Sequence, residues 1–181
     1  MLELIKKDLY RYQPTKYNTF ALLKGFRSQG FRYMFFKRLL DHYGIKSVVG
    51  IISKFFLFIY TYRYGFQIGG KIGGGLYIGH FGTVVISVNA RIGENCNIAH
   101  NCTIGNTRGK NAGVPEIKDF VWIGTGSVLV GNISVGPNVM IAPNSFVNFN
   151  VPPNSIVIGN PAKIISKENP VKNFINNVYM D

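Results

Sequence analysis

The sequence predicts a mainly β chain, a parallel solenoid of six-residue repeats with a helical segment in front of it. Three observations carry that expectation. Aliphatic residues recur every six positions at Ile86, Ile92, Ile98 and Ile104, and again at Ile117, Ile123, Leu129, Val135, Ile141 and Val147. A period of six matches neither the 3.6 of a helix nor the 2 of an ordinary strand, and marks a repeat architecture. Four positions after the aliphatic stand Ala90, Cys96, Cys102, Val121, Ser127, Ile133, Val139 and Ser145, all small or apolar. Composition agrees: 21 glycines and only 15% charged residues in 181 residues suit tight corners better than helices.

The elements follow in order. Met1 to Arg11 reads as a short helix with Leu2, Ile5 and Leu9 on one face, and Pro14 ends it. A second helical stretch, rich in Phe, Tyr, Arg and Lys, runs from about Thr19 to Tyr43, and Gly44 breaks it. Val48 to Tyr60 is the most apolar run, but it is interrupted by Lys54 and falls short of the ~20 apolar residues a spanning helix needs. Nothing in Met1 to Tyr12 resembles a cleavable signal. Of the formal charge of +12, nine units lie in residues 1–65. Two readings of this basic, aromatic region stand side by side. It is a helical cap over the open first coil, as solenoid ends require, or an interfacial segment for peripheral membrane association. No nucleic-acid recognition motif accompanies the charge.

Residues 66–165 form the repeat. Two inward positions in six suit three short strands per turn, so one coil is three hexads, or eighteen residues, and each coil buries its aliphatics on the next. An upstream beat is read at Ile72, Ile78 and Val84. The beat fails twice. Two extra residues lie between Ile78 and Ile86, and seven extra between Ile104 and Ile117, in the polar segment GNTRGKNAGVPE. The second excess is expected to leave the coil as a loop, where function concentrates. Pro152, Pro153 and Pro161 are expected to stop further pairing, and residues 166–181 read as a C-terminal tail.

Chemistry centres on histidine. His42 sits beside Asp41 in the N-terminal region and reads as a surface or capping residue. His80 and His100 each follow an aliphatic by two, twenty residues apart, which is one coil plus the two-residue insertion. They are therefore expected on one edge in adjacent coils, whose strands lie about 4.8 Å apart. A corner histidine bonded to a neighbouring carbonyl is the plain alternative for each. Imidazole suits removal of a hydroxyl proton and its return to a leaving thiolate. Cys96 and Cys102, six apart on neighbouring faces, read as buried structural thiols of a reducing compartment.

The stretch LYIGHFGTVVISVNARIGENCNI, with CTIGNTRGK, VWIGTGSVLVGNISVG and PPNSIVIGNPAKII, resembles the hexapeptide-repeat acyltransferases, and within them the serine acetyltransferase family. The opening IKKDLYRY is similar to variants of that family encoded with capsule and exopolysaccharide genes. The resemblance implies a left-handed parallel β-helix, acetyl-CoA as co-substrate, no metal, and a homotrimer with active sites between neighbouring solenoids. By it, His80 falls on the catalytic histidine; His100 joins it as a catalytic candidate on the spacing alone. The matching coenzyme-binding positions are Gly105, Trp122, Thr125, Ala142, Asn148 and Lys163, the last meeting a nucleotide phosphate. Departures bear on the acceptor. Val114 stands where the family's loop carries a histidine, and Gly65 where an aspartate partners the catalytic one. With those charged groups gone, a saccharide or glycolipid hydroxyl of a capsular polysaccharide or its lipid-linked precursor is the expected acceptor. L-serine in a rearranged pocket, or a non-catalytic scaffold, are the alternatives. A backbone carbonyl or Gln67 is expected to orient His80. The related γ-class carbonic anhydrases need three zinc histidines, and the repeat holds two. A cytoplasmic place, at the inner face of the membrane if the N-terminal region binds it, completes the expectation.

Overall fold

A computed structural model describes residues 1–179. Among them, helices α1 (Leu2–Tyr12), α2 (Thr19–Gly25), α3 (Gln29–Tyr43) and α4 (Val48–Tyr64) precede fourteen short strands. The predicted single helix over 19–43 is two helices. Ser28 begins α3 in extended conformation, and Arg32 Nε donates to the Phe26 carbonyl at 2.8 Å inside the break.

The strands are β1 (Phe66–Ile68), β2 (Lys71–Ile72), β3 (Val84–Ile86), β4 (Arg91–Ile92), β5 (Asn97–Ile98), β6 (Cys102–Gly105), β7 (Glu116–Ile117), β8 (Val121–Ile123), β9 (Val128–Val130), β10 (Ser134–Val135), β11 (Val139–Ile141), β12 (Phe146–Val147), β13 (Ser155–Gly159) and β14 (Ala162–Ser166). They form three faces, β1-β3-β6-β9-β12, β2-β4-β7-β10 and β5-β8-β11-β13-β14, paired in parallel up to β13. This is a triangular parallel β-solenoid of about five coils. Ile104, Ile123, Leu129, Val135, Ile141 and Val147 are completely buried on its axis, each contributing about 1.5–3 kcal/mol by leaving water.

The interruptions fall where the count put them, with two corrections. Register is eighteen between Val84 and Cys102, twenty between Lys71 and Arg91, and twenty-five between Arg91 and Glu116, so both insertions are absorbed locally. Val84 is not on the aliphatic beat. It pairs with Phe66 and Cys102, the positions two before the beat, and Ile86 takes the axial place beside Ile68 and Ile104. Nor do the prolines end pairing. Asn160–Pro161 is cis, and β14 turns back antiparallel on β13, Ile158 opposite Lys163. A fixed φ suits the tip of such a hairpin.

Corners share a device. Three positions after the axial aliphatic, Asn95, Asn101, Asn138 and Asn144 adopt φ between 55° and 58°, with Phe120 at 56°. Asparagine enters this left-handed region more readily than other side chains.

The N-terminal helices cap the first coil, and they do so by hydrogen bonding as much as by apolar contact. Arg38, nearly inaccessible, donates to the carbonyls of Ile72 and Gly73, and through Nε to Asp8 at 2.9 Å. Asp8 accepts from the Gly75 and Leu76 amides at 2.8 and 3.2 Å. Arg11 donates to the Gly75 carbonyl, and the Tyr12 hydroxyl both donates to the Ile78 carbonyl and accepts from its amide. These are the edge groups that an uncapped coil would leave open to pairing with another chain. Burial pushes the Asp8 carboxyl above its ordinary range, against the pull of Arg38 and the two amides. The cap, one of the two sequence readings, is built by the inner sides of these helices. No helix among the described residues is long and apolar enough to cross a membrane.

The three outer faces differ. That of β2-β4-β7-β10 carries Lys71, Arg91, Glu116 and Lys118. That of β5-β8-β11 is covered in part by the tail, where Phe174 lies 5.1 Å from Trp122 and its carbonyl accepts from Asn97 Nδ2. That of β1-β3-β6-β9-β12 turns Gln67, Val85, Thr103, Val128 and Phe146 outward and carries no charge.

Candidate functional site

His80 and His100 meet as the spacing predicts. Tyr77 bridges to Asn97, which sets the twenty-residue offset, and the two rings stand edge to face with centroids 6.0 Å apart. His80 lies exposed on the first irregular corner, Gly79–Thr83, and His100 is half-buried one coil further on. Gly82 is held there by its amide to the Tyr64 carbonyl at 2.9 Å, with φ of 129°, and a Cβ at Gly82 would press on His100 Cβ at 3.0 Å. That corner needs glycine, because His100 crowds the space and the backbone lies outside the L-residue regions. His100 Nδ1 is buried and has no protein partner among the described residues. It is not the corner histidine bonded to a carbonyl that was its plain alternative. An orphaned ring nitrogen beside an exposed imidazole is costly to keep buried, and it is free to bond a ligand or a water.

The expected orienting groups are not engaged. No hydrogen bond to the His80 ring forms among the described residues, and Gln67 faces outward on β1 opposite Val85. Gly65 caps α4 with φ of 76°, and a Cβ there would lie 3.2 Å from the Thr83 backbone. The missing aspartate position is therefore directly against the histidine corner.

The remaining candidates divide between two corners. Thr125 and Ala142 stack below His100 on the corner between the third face and the first, and Lys163 is exposed on β14 opposite Ile158, close to the same column. Gly105 and Asn148 lie on the opposite corner of that face, roughly 20 Å of chain away. They border the excursion loop, which folds back on itself through Thr107 and Gly113 and is tied down by Asn111, whose Nδ2 donates to the Asn148 carbonyl at 3.1 Å. Trp122 joins neither group, since its indole lies under Phe174 of the tail.

Sequence reasoning missed one feature. Phe81, next to His80, lines a cavity of about 330 Å³ together with Gln29, Arg32, Arg63 and Tyr64 from the helical cap. Arg32 is held by the Phe26 carbonyl and the Tyr64 hydroxyl, the latter at 2.7 Å, whereas Arg63 is exposed. Two guanidiniums, an amide and a phenol make a place for an anion beside the histidine corner. No count along the repeat could find it, because α3 and α4 supply it. Burial pushes the Cys96 and Cys102 thiols up to about 12 and about 11, consistent with structural cysteines. Among the described residues no group of three or more His, Cys, Asp or Glu is arranged to hold a metal ion.

Comparison with known proteins agrees with this geometry. Residues 115–148 match the family model described as bacterial transferase hexapeptide (six repeats). The chain is 36% identical over 128 residues to a serine acetyltransferase of Staphylococcus xylosus, covering 70% of this chain and 56% of the relative. It is 42% identical over 108 residues to serine acetyltransferase 3, mitochondrial, of Arabidopsis thaliana, covering 58% of this chain and 27% of the relative. The chain thus spans about a quarter to a half of the length of these relatives. Among solved structures, the serine acetyltransferase of Neisseria gonorrhoeae superposes with a TM-score of 0.73 at 29% identity, over 92% of this chain and 67% of that one. That of Brucella abortus in complex with coenzyme A does so with 0.75 at 28%, over 92% and 68%. The solenoid is a hexapeptide-repeat fold similar to that of the serine acetyltransferases. None of these relatives is described as acting on a polysaccharide, so the capsule and exopolysaccharide assignment finds no support.

Proposed function

We propose that the chain transfers the acetyl group of acetyl-CoA to a hydroxyl, with L-serine as the acceptor and His80 as the general base. The observation that carries the reading is the exposed His80, paired with His100 on an irregular corner of a solenoid whose relatives are serine acetyltransferases. His80 takes the hydroxyl proton as the oxygen attacks the thioester carbonyl and the C–O bond forms. The tetrahedral oxyanion collapses, the C–S bond breaks, and the imidazolium returns the proton to the departing thiolate. His100 positions the His80 ring through their edge-to-face contact.

The uncharged outer face bearing Val85, Thr103, Val128 and Phe146 supports a homotrimer. A threefold assembly on that face brings the histidine corner of one protomer against the loop corner of the next. Thr125, Ala142 and Lys163 then face Gly105 and Asn148 across the boundary, along a path for the pantetheine arm, and an amide near the Gly105 turn stabilises the oxyanion. The Neisseria gonorrhoeae enzyme crystallised with serine supports the acceptor. The cavity at Phe81 supplies the cationic charge that Val114 lacks, though not the carboxylate lost at Gly65: Arg32 and Arg63 receive the serine carboxylate. The second reading, a sugar hydroxyl, rests on those two losses alone.

Thiol release from acetyl-CoA with L-serine, beside a panel of sugars and glycolipids, tests the reading. His80→Ala is expected to lower turnover about 10²–10⁴-fold with oligomeric state and circular dichroism unchanged, and near-normal turnover would sink the assignment. Arg63→Gln is expected to raise the KM for serine about tenfold, with kcat and the KM for acetyl-CoA unchanged. An unaltered serine KM removes the arginine pocket from the acceptor site and leaves His80 in place. Turnover with a sugar and none with serine moves the reaction to the second reading.

A further inference from the structure

Helix α4 is turned the wrong way for a helix on the surface of a lone soluble domain. Its buried residues are Gly50, Ser53, Leu57 and Tyr64, whereas Val48, Ile51, Ile52, Phe55, Phe58 and Tyr62 are exposed, Phe55 and Phe58 by 61% and 62%. A surface helix ordinarily buries its large apolar side chains and shows polar ones to water. The inner face cannot be exchanged for the outer, because a Cβ at Gly50 would collide with the Gly44 carbonyl. At 3.6 residues per turn and 1.5 Å per residue the exposed residues make one continuous stripe about 21 Å long, with Lys54 on one flank and Arg63 on the other. An exposed apolar stripe of that extent marks an interaction surface.

Charge identifies the occupant. Residues 42–93 contain no aspartate or glutamate, and Lys46 and Lys54 are both exposed beside the stripe. A second copy laid face to face on α4 would bring these cations together with no carboxylate of the patch to pair them. A lipid surface rich in phosphate and carboxylate headgroups supplies that pairing, and accepts the aliphatic and aromatic side chains beneath it. The helix is too short to span, and its opposite side is packed on α3.

We propose that α4 is an in-plane docking surface for an anionic lipid bilayer, with Ile51, Ile52, Phe55 and Phe58 among the upper acyl chains and Lys46 and Lys54 at the headgroups. The inference does not depend on the reaction assigned to His80. Its test is co-sedimentation of the full chain with vesicles of phosphatidylcholine alone or mixed with phosphatidylserine. The wild type is expected to pellet with the mixed vesicles. Phe55→Ser/Phe58→Ser is expected to stay in the supernatant, and Lys46→Gln/Lys54→Gln to bind roughly 30-fold more weakly. Both Phe side chains are exposed, so the fold should survive. Should the Phe variant fail to fold, the Lys variant still decides. A wild type that ignores phosphatidylserine vesicles overturns the proposal, as does either variant binding like the wild type. So does concentration-dependent self-association that the Phe variant abolishes while vesicle binding is absent, since the occupant is then a second copy.

Discussion

The helical cap and the solenoid solve the same problem, burial of an edge, by opposite means. In the solenoid each coil repeats the same contact: axial aliphatics stack on those of the next coil, and the ladder bonds run between identical positions. Any one coil is replaceable by another, and errors stay local. The cap meets the first coil once, so it is fitted by unlike side chains. Asp8, Arg11, Tyr12 and Arg38 each answer a particular amide or carbonyl of residues 72–78. Repeated apolar stacking gives stability without specificity, and the buried charges fix one docking geometry.

The cap is most vulnerable at Asp8. Asp8→Asn leaves the Arg38 guanidinium buried with its ion-pair partner gone, and is expected to cost about 3–5 kcal/mol. The loss should appear as early unfolding of the helices in urea, read at 222 nm, while tertiary signals of the solenoid persist. A single transition shared by helices and solenoid would mean that the cap is continuous with the repeat and not a separate fitted piece. In the solenoid the counterpart is Ile123→Val, which removes one methylene from the axis and is expected to cost about 0.5–1.5 kcal/mol without separating the two transitions. A penalty as large as that of Asp8→Asn would contradict the view that the stack spreads its losses over neighbouring coils.

What the sequence makes legible follows the same division. A repeat writes its geometry many times over, so the six-residue beat yields the coil, the faces and the twenty-residue offset that brings His80 to His100. Even the excursion loop is legible, as an excess in the count. Val84 is misread because the beat is counted through an insertion. Both Val84 and Ile86 are buried apolar residues, and only pairing with Phe66 and Cys102 tells which is axial. The cap appears once and has no period to check against. Its composition showed charge and aromatics, but Asp8 and Arg38 are thirty residues apart and nothing in their spacing pairs them. The same holds for Arg32 and Arg63 at the candidate acceptor pocket, which come from different helices and meet Phe81 only after docking. Trp122 shows a third case. A large aromatic in a motif reads as a binding residue, and its partner Phe174 lies in a tail with no period of its own.

The solenoid corners depend on a single backbone conformation. Asn144 is exposed, with φ of 57°, and its place in the column after Ile141 matches that of Asn101 after Ile98. Between them Gly126 fills the same position at φ of 74°. If asparagine is there for its tolerance of the left-handed region, Asn144→Gly should be nearly neutral and Asn144→Ala should cost about 0.5–1 kcal/mol. Both replacements remove the same side-chain amide and differ only in what the backbone tolerates. Urea midpoints that fall equally for the two would assign the position to the amide's contacts instead. Midpoints that fall for alanine alone would make the corner a backbone device, built from a residue choice the solenoid repeats and the cap has no occasion to use.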